Sequence, residues 1–262
     1  MFFVIFIVLV LAVIALHELN HGRLMVRYGI KVPEAGLGIP VKFLPCLSLK
    51  ISPRFTFKLH PLLLGAYVQP ADEKEIERLS YQEKAHIFGA GIVANLVISF
   101  LLNAFLMVAL LIIRPERWDM GDTIYLAAYV ILAVIFLRFD KFLSKYVFPF
   151  LGLLLTGYLI WSIIHLGFQK SLMGPIGIVQ AGLSITSLIE ATAWAAVVSL
   201  GLGLINLLPL YPLDGGRILK AFLEKKSNLS LGIRNTILGG GSVLLVLLIV
   251  AVVFSDLFRS FS

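Results

Sequence analysis

The chain has 262 residues, 59% of them hydrophobic and only 14% charged, with a mean hydropathy of +0.97. A soluble domain is usually about 45–50% apolar, so this composition excludes a water-soluble globule and points to several membrane crossings. The single cysteine, Cys46, excludes an internal disulfide framework, and the net charge of +7 follows membrane topology rather than a nucleic-acid surface.

Residues 2–28 read as one long apolar helix with Arg23 and Arg27 near its C-terminal end. Its first part lacks the basic start and small-residue cleavage site of a signal peptide, so it is expected to be retained. Within it, His17-Glu18-Leu19-Asn20-His21 matches H-E-x-x-H. Positions i and i+4 share a helix face, so both imidazoles can reach one Zn²⁺ while Glu18 stands beside a water on that metal. The alternative is two hydrogen-bonded helix-face histidines. A charged side chain near the middle of a membrane helix costs roughly 2.5–3.5 kcal/mol even on the lenient insertion scale, which favours the metal site. His17 lies roughly 22 Å along a helix begun at Phe2, inside the membrane and towards the side carrying the arginines.

Residues 36–68 alternate apolar and polar side chains in LSLKI and FTFKL and are punctuated by four prolines. This pattern predicts short β-strands or hairpins forming a small membrane-associated β region. Residues 72–84 (DEKEIERLSYQEK) read as a charged cytosolic helix or linker.

Five further spans are expected at 87–113, 124–137, 146–166, 187–208 and 235–254, near the ~20 residues needed to cross the hydrocarbon. The 124–137 span is the shortest. In the second span Gly91, Asn95, Ser99 and Asn103 recur every four residues. That stripe serves close helix packing or brings an amide to a site. Gly239-Gly240-Gly241 in the last span serves either packing or a hinge gating substrate access. The expected fold class is an all-α polytopic membrane protein of about six transmembrane helices with the β region after the first. It reads as a single integral membrane domain over 1–262.

A catalytic zinc needs a third protein ligand. His60, His86 and His165 are isolated and read as interfacial or hydrogen-bonded, and Glu190 sits at the outer end of the fifth span. Asp214 follows an apolar span in NLLPLYPLDGG, where Pro209 and Pro212 break the helix and Gly215 and Gly216 permit close backbone approach. It either caps the helix beginning at 215 or ligates the metal. With the N-terminus outside, residues 23–84, 138–145 and 217–234 face the cytosol and hold 18 of the 22 Lys and Arg residues. This topology puts Asp214 on the cytosolic side with His21 and favours the ligand.

These residues resemble the site-2 protease family of intramembrane metalloproteases. HELNH is similar to its HExxH, and NLLPLYPLDGG to its N-x-x-P-x-P-x-x-D-G-G segment. Leu64-Gly65-Ala66-Tyr67-Val68 resembles its G-G-Y-V edge, and Met173-Gly174-Pro175-Ile176-Gly177-Ile178 its G-P-x-G-I segment. Gly89 to Asn95 resembles A-G-P-x-x-N, with Ile92 in place of the proline. Asn20 replaces the small residue often found inside the histidine motif. The family's frequent PDZ domain has no counterpart, and extra spans over 123–166 stand in its place.

The resemblance implies one Zn²⁺ per chain held by His17, His21 and Asp214, with Glu18 as general base and acid. It also implies substrate contacts from Asn95, Asn206 and the strand Gly65, Ala66, Tyr67 and Val68. That strand is open to a second reading as a structural hairpin. The expected partners are transmembrane protein substrates and the lipid bilayer, with no nucleic acid, in a prokaryotic plasma membrane. The motifs name neither a particular substrate nor an oligomeric state. A structural zinc site and a metal transporter are the rival readings. Retention of Glu18, and the lack of an evident fourth ligand, argue against the first. The β region argues against the second.

Overall fold

The computed structural model describes residues 1–41, 43–53, 55–62, 65–166, 174–225 and 229–261. Leu64 and Met173 of the family-like segments lie outside these, as do Lys42, Arg54, Lys170 and Lys226 from the charge distribution and the side chain of His165. Six helical stretches are long and apolar enough to cross a membrane: Phe2–Arg27, Tyr81–Ile113, Met120–Arg138, Asp140–Ser162, Leu188–Leu207 and Leu231–Phe258.

The first helix, α1 (Phe2–Arg27), leads into four short strands, β1 (Glu34–Leu37), β2 (Leu47–Ser52), β3 (Phe55–Leu59) and β4 (Ala66–Gln69). Their spatial order is β2-β3-β1-β4, with β1 parallel to β3 and antiparallel to β4. β4 is therefore an edge strand. Gly65 enters it at φ +96°, a left-handed conformation that a side chain would strain, and its carbonyl accepts from the Gly38 N–H at 2.7 Å. Val68 holds β4 against α1, because a Cβ on Gly22 would stand 3.2 Å from Val68 Cγ1. Behind the strand, the Tyr67 hydroxyl donates to Glu34 at 2.6 Å and accepts from His60 Nε2 at 3.1 Å, while Lys58 pairs with Glu34.

A short helix α2 (Glu73–Glu77) precedes α3 (Tyr81–Ile113). α3 starts six residues before the apolar run predicts. Ser80 and Glu83 form a reciprocal capping box that satisfies the first free N–H groups, so the helix begins in a polar segment. Asp119 and Asp122 do the same for α4 (Met120–Arg138), lengthening the span that hydropathy makes shortest. The fourth crossing starts at α5 (Asp140–Phe142), passes a π-type turn at Leu143–Val147 and continues as α6 (Phe148–Leu166). That turn presses Ser144 onto Gly89 of α3, where a Cβ would stand 2.0 Å from the Ser144 hydroxyl.

Next comes α7 (Pro175–Leu183), a nine-residue helix that the sequence pattern did not mark. It is too short to cross a membrane, and its anchor is remote in sequence. The N–H groups of Gly174 and Gly177 donate to the buried Asp256 carboxylate at 3.2 and 2.8 Å. The remaining elements are α8 (Leu188–Leu207), α9 (Asp214–Lys225) and α10 (Leu231–Phe261). A Cβ on Gly239 or Gly240 would meet nothing within 4 Å among the described residues, while one on Gly241 would stand near the Leu210–Tyr211 backbone.

α3 is the central post, with α1, α4, α8 and α9 packed around it. Its residues 85–97 are all buried. Lipid is as apolar as leucine, so helix association here depends on close packing by small residues and on hydrogen bonds. Ala90, Gly91 and Ala94 give α3 its smooth face, and Gly203 of α8 sits 3.3 Å, by its Cβ position, from Asn95 and Leu96. The Ser199 hydroxyl of α8 donates to the Asn95 carbonyl at 2.8 Å, tying the two helices together. Large apolar side chains such as Val134, Val243 and Leu247 stay on the outside, as lipid-facing surfaces require.

Candidate active site

α1 presents His17 and His21 on the face that meets α3, and both side chains are buried. Their Nε2 atoms lie 3.2 Å apart. Asp214 Oδ2 stands 3.2 Å from the first and 3.3 Å from the second. The three atoms make a nearly equilateral triangle drawn from residues almost 200 positions apart.

α3 holds the far side of both rings. The His21 Nδ1–H donates to the Ile87 carbonyl at 2.7 Å, which leaves Nε2 as the lone-pair nitrogen. His17 Nδ1 lies 3.0 Å from the side-chain amide of Asn95, a fully buried residue whose Oδ1 has no other partner. The two ends of an amide have the same shape. With its oxygen towards the ring, Asn95 accepts from the His17 Nδ1–H, satisfies the orphaned acceptor and frees the Nε2 lone pair. Asn95 thus touches a ring expected to ligate, which makes positioning its first role, alongside the substrate contact implied by resemblance.

Asp214 reaches the histidines because the chain turns sharply behind it. α8 stops at Leu207, the prolines at 209 and 212 prevent its continuation, and α9 begins at Asp214 itself. The turn is tight enough that a Cβ on Gly215 would lie 2.4 Å from the Leu207 carbonyl oxygen, and one on Gly216 2.4 Å from the Leu210 carbonyl carbon. Among the described residues no backbone N–H bonds to the Asp214 carboxylate, so the capping alternative finds no support. Its Oδ2 is buried without a hydrogen bond of good geometry and is aimed at the two Nε2 atoms.

These atoms fit a cation in three respects. Three donors at about 2.0–2.1 Å from a tetrahedral Zn²⁺ would stand about 3.3 Å apart, close to the observed spacings. The donor set of two neutral imidazoles and a carboxylate suits zinc. Finally, Gly91 leaves the necessary space: a Cβ there would be 2.4 Å from His21 Nε2 and 2.5 Å from His17 Nε2. Gly91 and Asn95 of that stripe therefore do more than pack helices.

A cavity of about 320 Å³ opens beside the triangle. Its lining includes all ten residues singled out from sequence: His17, Glu18, His21, Gly65, Ala66, Tyr67, Val68, Asn95, Asn206 and Asp214. Glu18 is half-buried there, and the Asn206 amide donates to the Leu202 carbonyl of its own helix at 3.0 Å with its second N–H remaining. Arg217, Ile14 and Leu213 also line the cavity and had no signal in the sequence. Nor did the Ile87 carbonyl, since every residue carries one. His60 and His86 stay outside the site in hydrogen-bonded roles. His86 accepts from the Tyr28 hydroxyl at 2.8 Å and donates to Asp140 at 3.0 Å. Glu190 accepts from the Thr186 N–H at 2.8 Å at the start of α8.

The profile of peptidase family M50 matches residues 5–248. Protease RseP of Yersinia pestis is 40% identical over 94 residues, 34% of this chain and 21% of that protein. Protease RseP of Photorhabdus luminescens is 38% identical over 94 residues, 34% of this chain and 42% of its own. Each match covers less than half of the relative's length.

Proposed function

The chain belongs to peptidase family M50, and from that premise we propose that it is an intramembrane zinc metalloprotease. It hydrolyses peptide bonds within or near transmembrane segments of membrane-protein substrates, as in regulated intramembrane proteolysis. The observation that carries this reading is the triangle of His17, His21 and Asp214 beside Glu18, with Gly91 leaving its centre open.

His17 Nε2, His21 Nε2 and an Asp214 oxygen would hold one Zn²⁺ per chain. Such a metal would supply Lewis acidity there, enough to bring a water's pKa towards ~7 and to polarise a carbonyl. Glu18 takes a proton from the attacking water and returns it to the leaving amine. The Asn206 amide, on the cavity wall, donates to the oxygen where negative charge develops. Asn95 and the Ile87 carbonyl hold the two imidazoles in the tautomer that ligates.

A helical substrate hides its peptide bonds in its own hydrogen bonds, so it must be extended before hydrolysis. β4 offers the means. Its outer edge lines the cavity, and an extended segment laid along Ala66–Val68 exchanges helical hydrogen bonds for strand pairing. The Glu34–Tyr67–His60 network stiffens that strand from behind. The N-terminus lies outside and the site opens towards the cytosol, in a prokaryotic plasma membrane.

The test is purification with metal analysis, followed by incubation of wild type and Glu18→Gln with a panel of transmembrane substrates. Bound zinc in both proteins and cleavage only by wild type is the expected result. Cleavage by Glu18→Gln contradicts the role of the carboxylate, and metal flux across vesicles without proteolysis selects the transporter reading.

A further inference from the structure

A second cavity, of about 410 Å³, lies on the opposite face of α1. The proteolytic face carries Ile14, Glu18 and His21, whereas this one carries Leu16, Asn20, Arg23 and Arg27. α1 and α4 each pack on α3 and make little contact with one another, so a groove runs between them with α3 as its floor. The floor is smooth and apolar, formed by Ala90, Val93, Ala94 and Val97.

The groove's charge is concentrated at one end. Arg23 and Arg27 close it from the C-terminal part of α1, and Arg138 from the last residue of α4. All three are exposed, and none lies within ion-pairing distance of a carboxylate among the described residues. Asp140 is the one acidic residue in the lining, and both its oxygens are engaged. Oδ2 accepts from His86 and Oδ1 from the Lys141 N–H at 2.6 Å. The lining therefore offers three guanidinium groups against one carboxylate, whose charge is felt by Arg23, and so keeps an excess of positive charge. From Arg27 to Leu16 the groove extends about 16 Å along α1, roughly half of a ~30 Å hydrocarbon core and so one leaflet deep.

We propose that this groove binds one anionic phospholipid from the leaflet at the Arg27 end of α1. The phosphate sits among Arg23, Arg27 and Arg138, and an acyl chain follows the Ala90–Ala94–Val97 floor into the leaflet. Charge complementarity selects the headgroup, because guanidinium pairs with phosphate in a bidentate fork. The amphipathic layout selects a lipid over a soluble anion: a free phosphate would leave the apolar floor of the groove without an occupant. The site is separate from the zinc centre and does not depend on proteolysis.

Native mass spectrometry of the purified full chain tests this, with phosphatidylglycerol and phosphatidylcholine of matched acyl chains added in turn. Wild type is expected to retain one phosphatidylglycerol in clear preference to phosphatidylcholine. A basic side chain near the membrane surface contributes about fivefold in affinity for an anionic lipid, so R23Q/R27Q/R138Q is expected to lose roughly 100-fold. If that variant does not fold, Arg27→Gln and Arg138→Gln carry the test singly, each expected to lose about fivefold. Equal retention of the two lipids, or full phosphatidylglycerol binding by the variants, overturns the proposal. Displacement of the lipid by millimolar inorganic phosphate also overturns it, by making this a soluble-anion site.

Discussion

Glu18 is the sole acidic side chain along the 26 residues of α1. A carboxylate at that depth disfavours the fold unless it has work to do. Glu18→Gln removes the proposed proton carrier without touching a donor atom of the triangle. Its turnover is expected to fall by about 10²–10⁴ with zinc stoichiometry unchanged, read by peptide cleavage alongside metal analysis. Gly91 gives the complementary case. Gly91→Ala puts a methyl group within 2.5 Å of both Nε2 atoms, where the proposed metal would lie. It is expected to lose zinc and activity together while α3, which tolerates alanine well, stays helical. Asn95→Ala leaves room for the metal but frees the His17 ring, so zinc affinity should drop about 10–100-fold. An Asn95→Ala protein that holds zinc like wild type would assign this residue to substrate instead.

At the scale of elements, the proposed strand addition rests on β4 and the network behind it. Ala66→Pro removes a strand N–H and is expected to lower cleavage at least tenfold while zinc content holds, which separates strand addition from a structural hairpin. The sheet should also respond to acid. Burial alone would raise the Glu34 pKa, but hydrogen bonds from Lys58 and Tyr67 outweigh it and hold the carboxyl below its ordinary value. A lowered folded pKa stabilises the sheet above the unfolded value of about 4.3, and that stabilisation fades as pH falls through the folded value. The protection factors of residues 34–69, corrected for the intrinsic slowing of exchange in acid, should therefore fall below about pH 4.3 in wild type, and much less in Glu34→Gln. Helices α1 and α8, the strand region and the Asp214 turn were legible because each is written locally, in hydropathy, alternation or proline and glycine placement. The early start of α3 was legible in Ser80 and Glu83 but outweighed by the hydropathy pattern. α7 was not legible, since its N-terminal carboxylate comes from Asp256, far along the chain.

For the whole molecule, the orientation proposed from the distribution of Lys and Arg is one that the lone cysteine can report. Cys46 is exposed in the β region, on the side assigned to the cytosol. A membrane-impermeant maleimide should label it in inverted vesicles and leave it unlabelled in intact cells. Labelling of intact cells would reverse the topology and put the zinc site near the outer leaflet. The proposed orientation would put the groove of Arg23, Arg27 and Arg138 in the cytosolic leaflet, where anionic lipids are attracted by basic residues.

The rigid rise of α1 has a further consequence: the helix acts as a measuring rod. His21 is six residues before Arg27, so the metal triangle sits about 9 Å inward from the arginine that marks the water boundary. A substrate stretched at ~3.3 Å per residue covers that depth in about three residues. Whatever its amino-acid preference, the protein should sever its targets at a constant offset from where they emerge into the cytosol, and sliding a target's hydrophobic boundary by three positions should slide the new terminus with it.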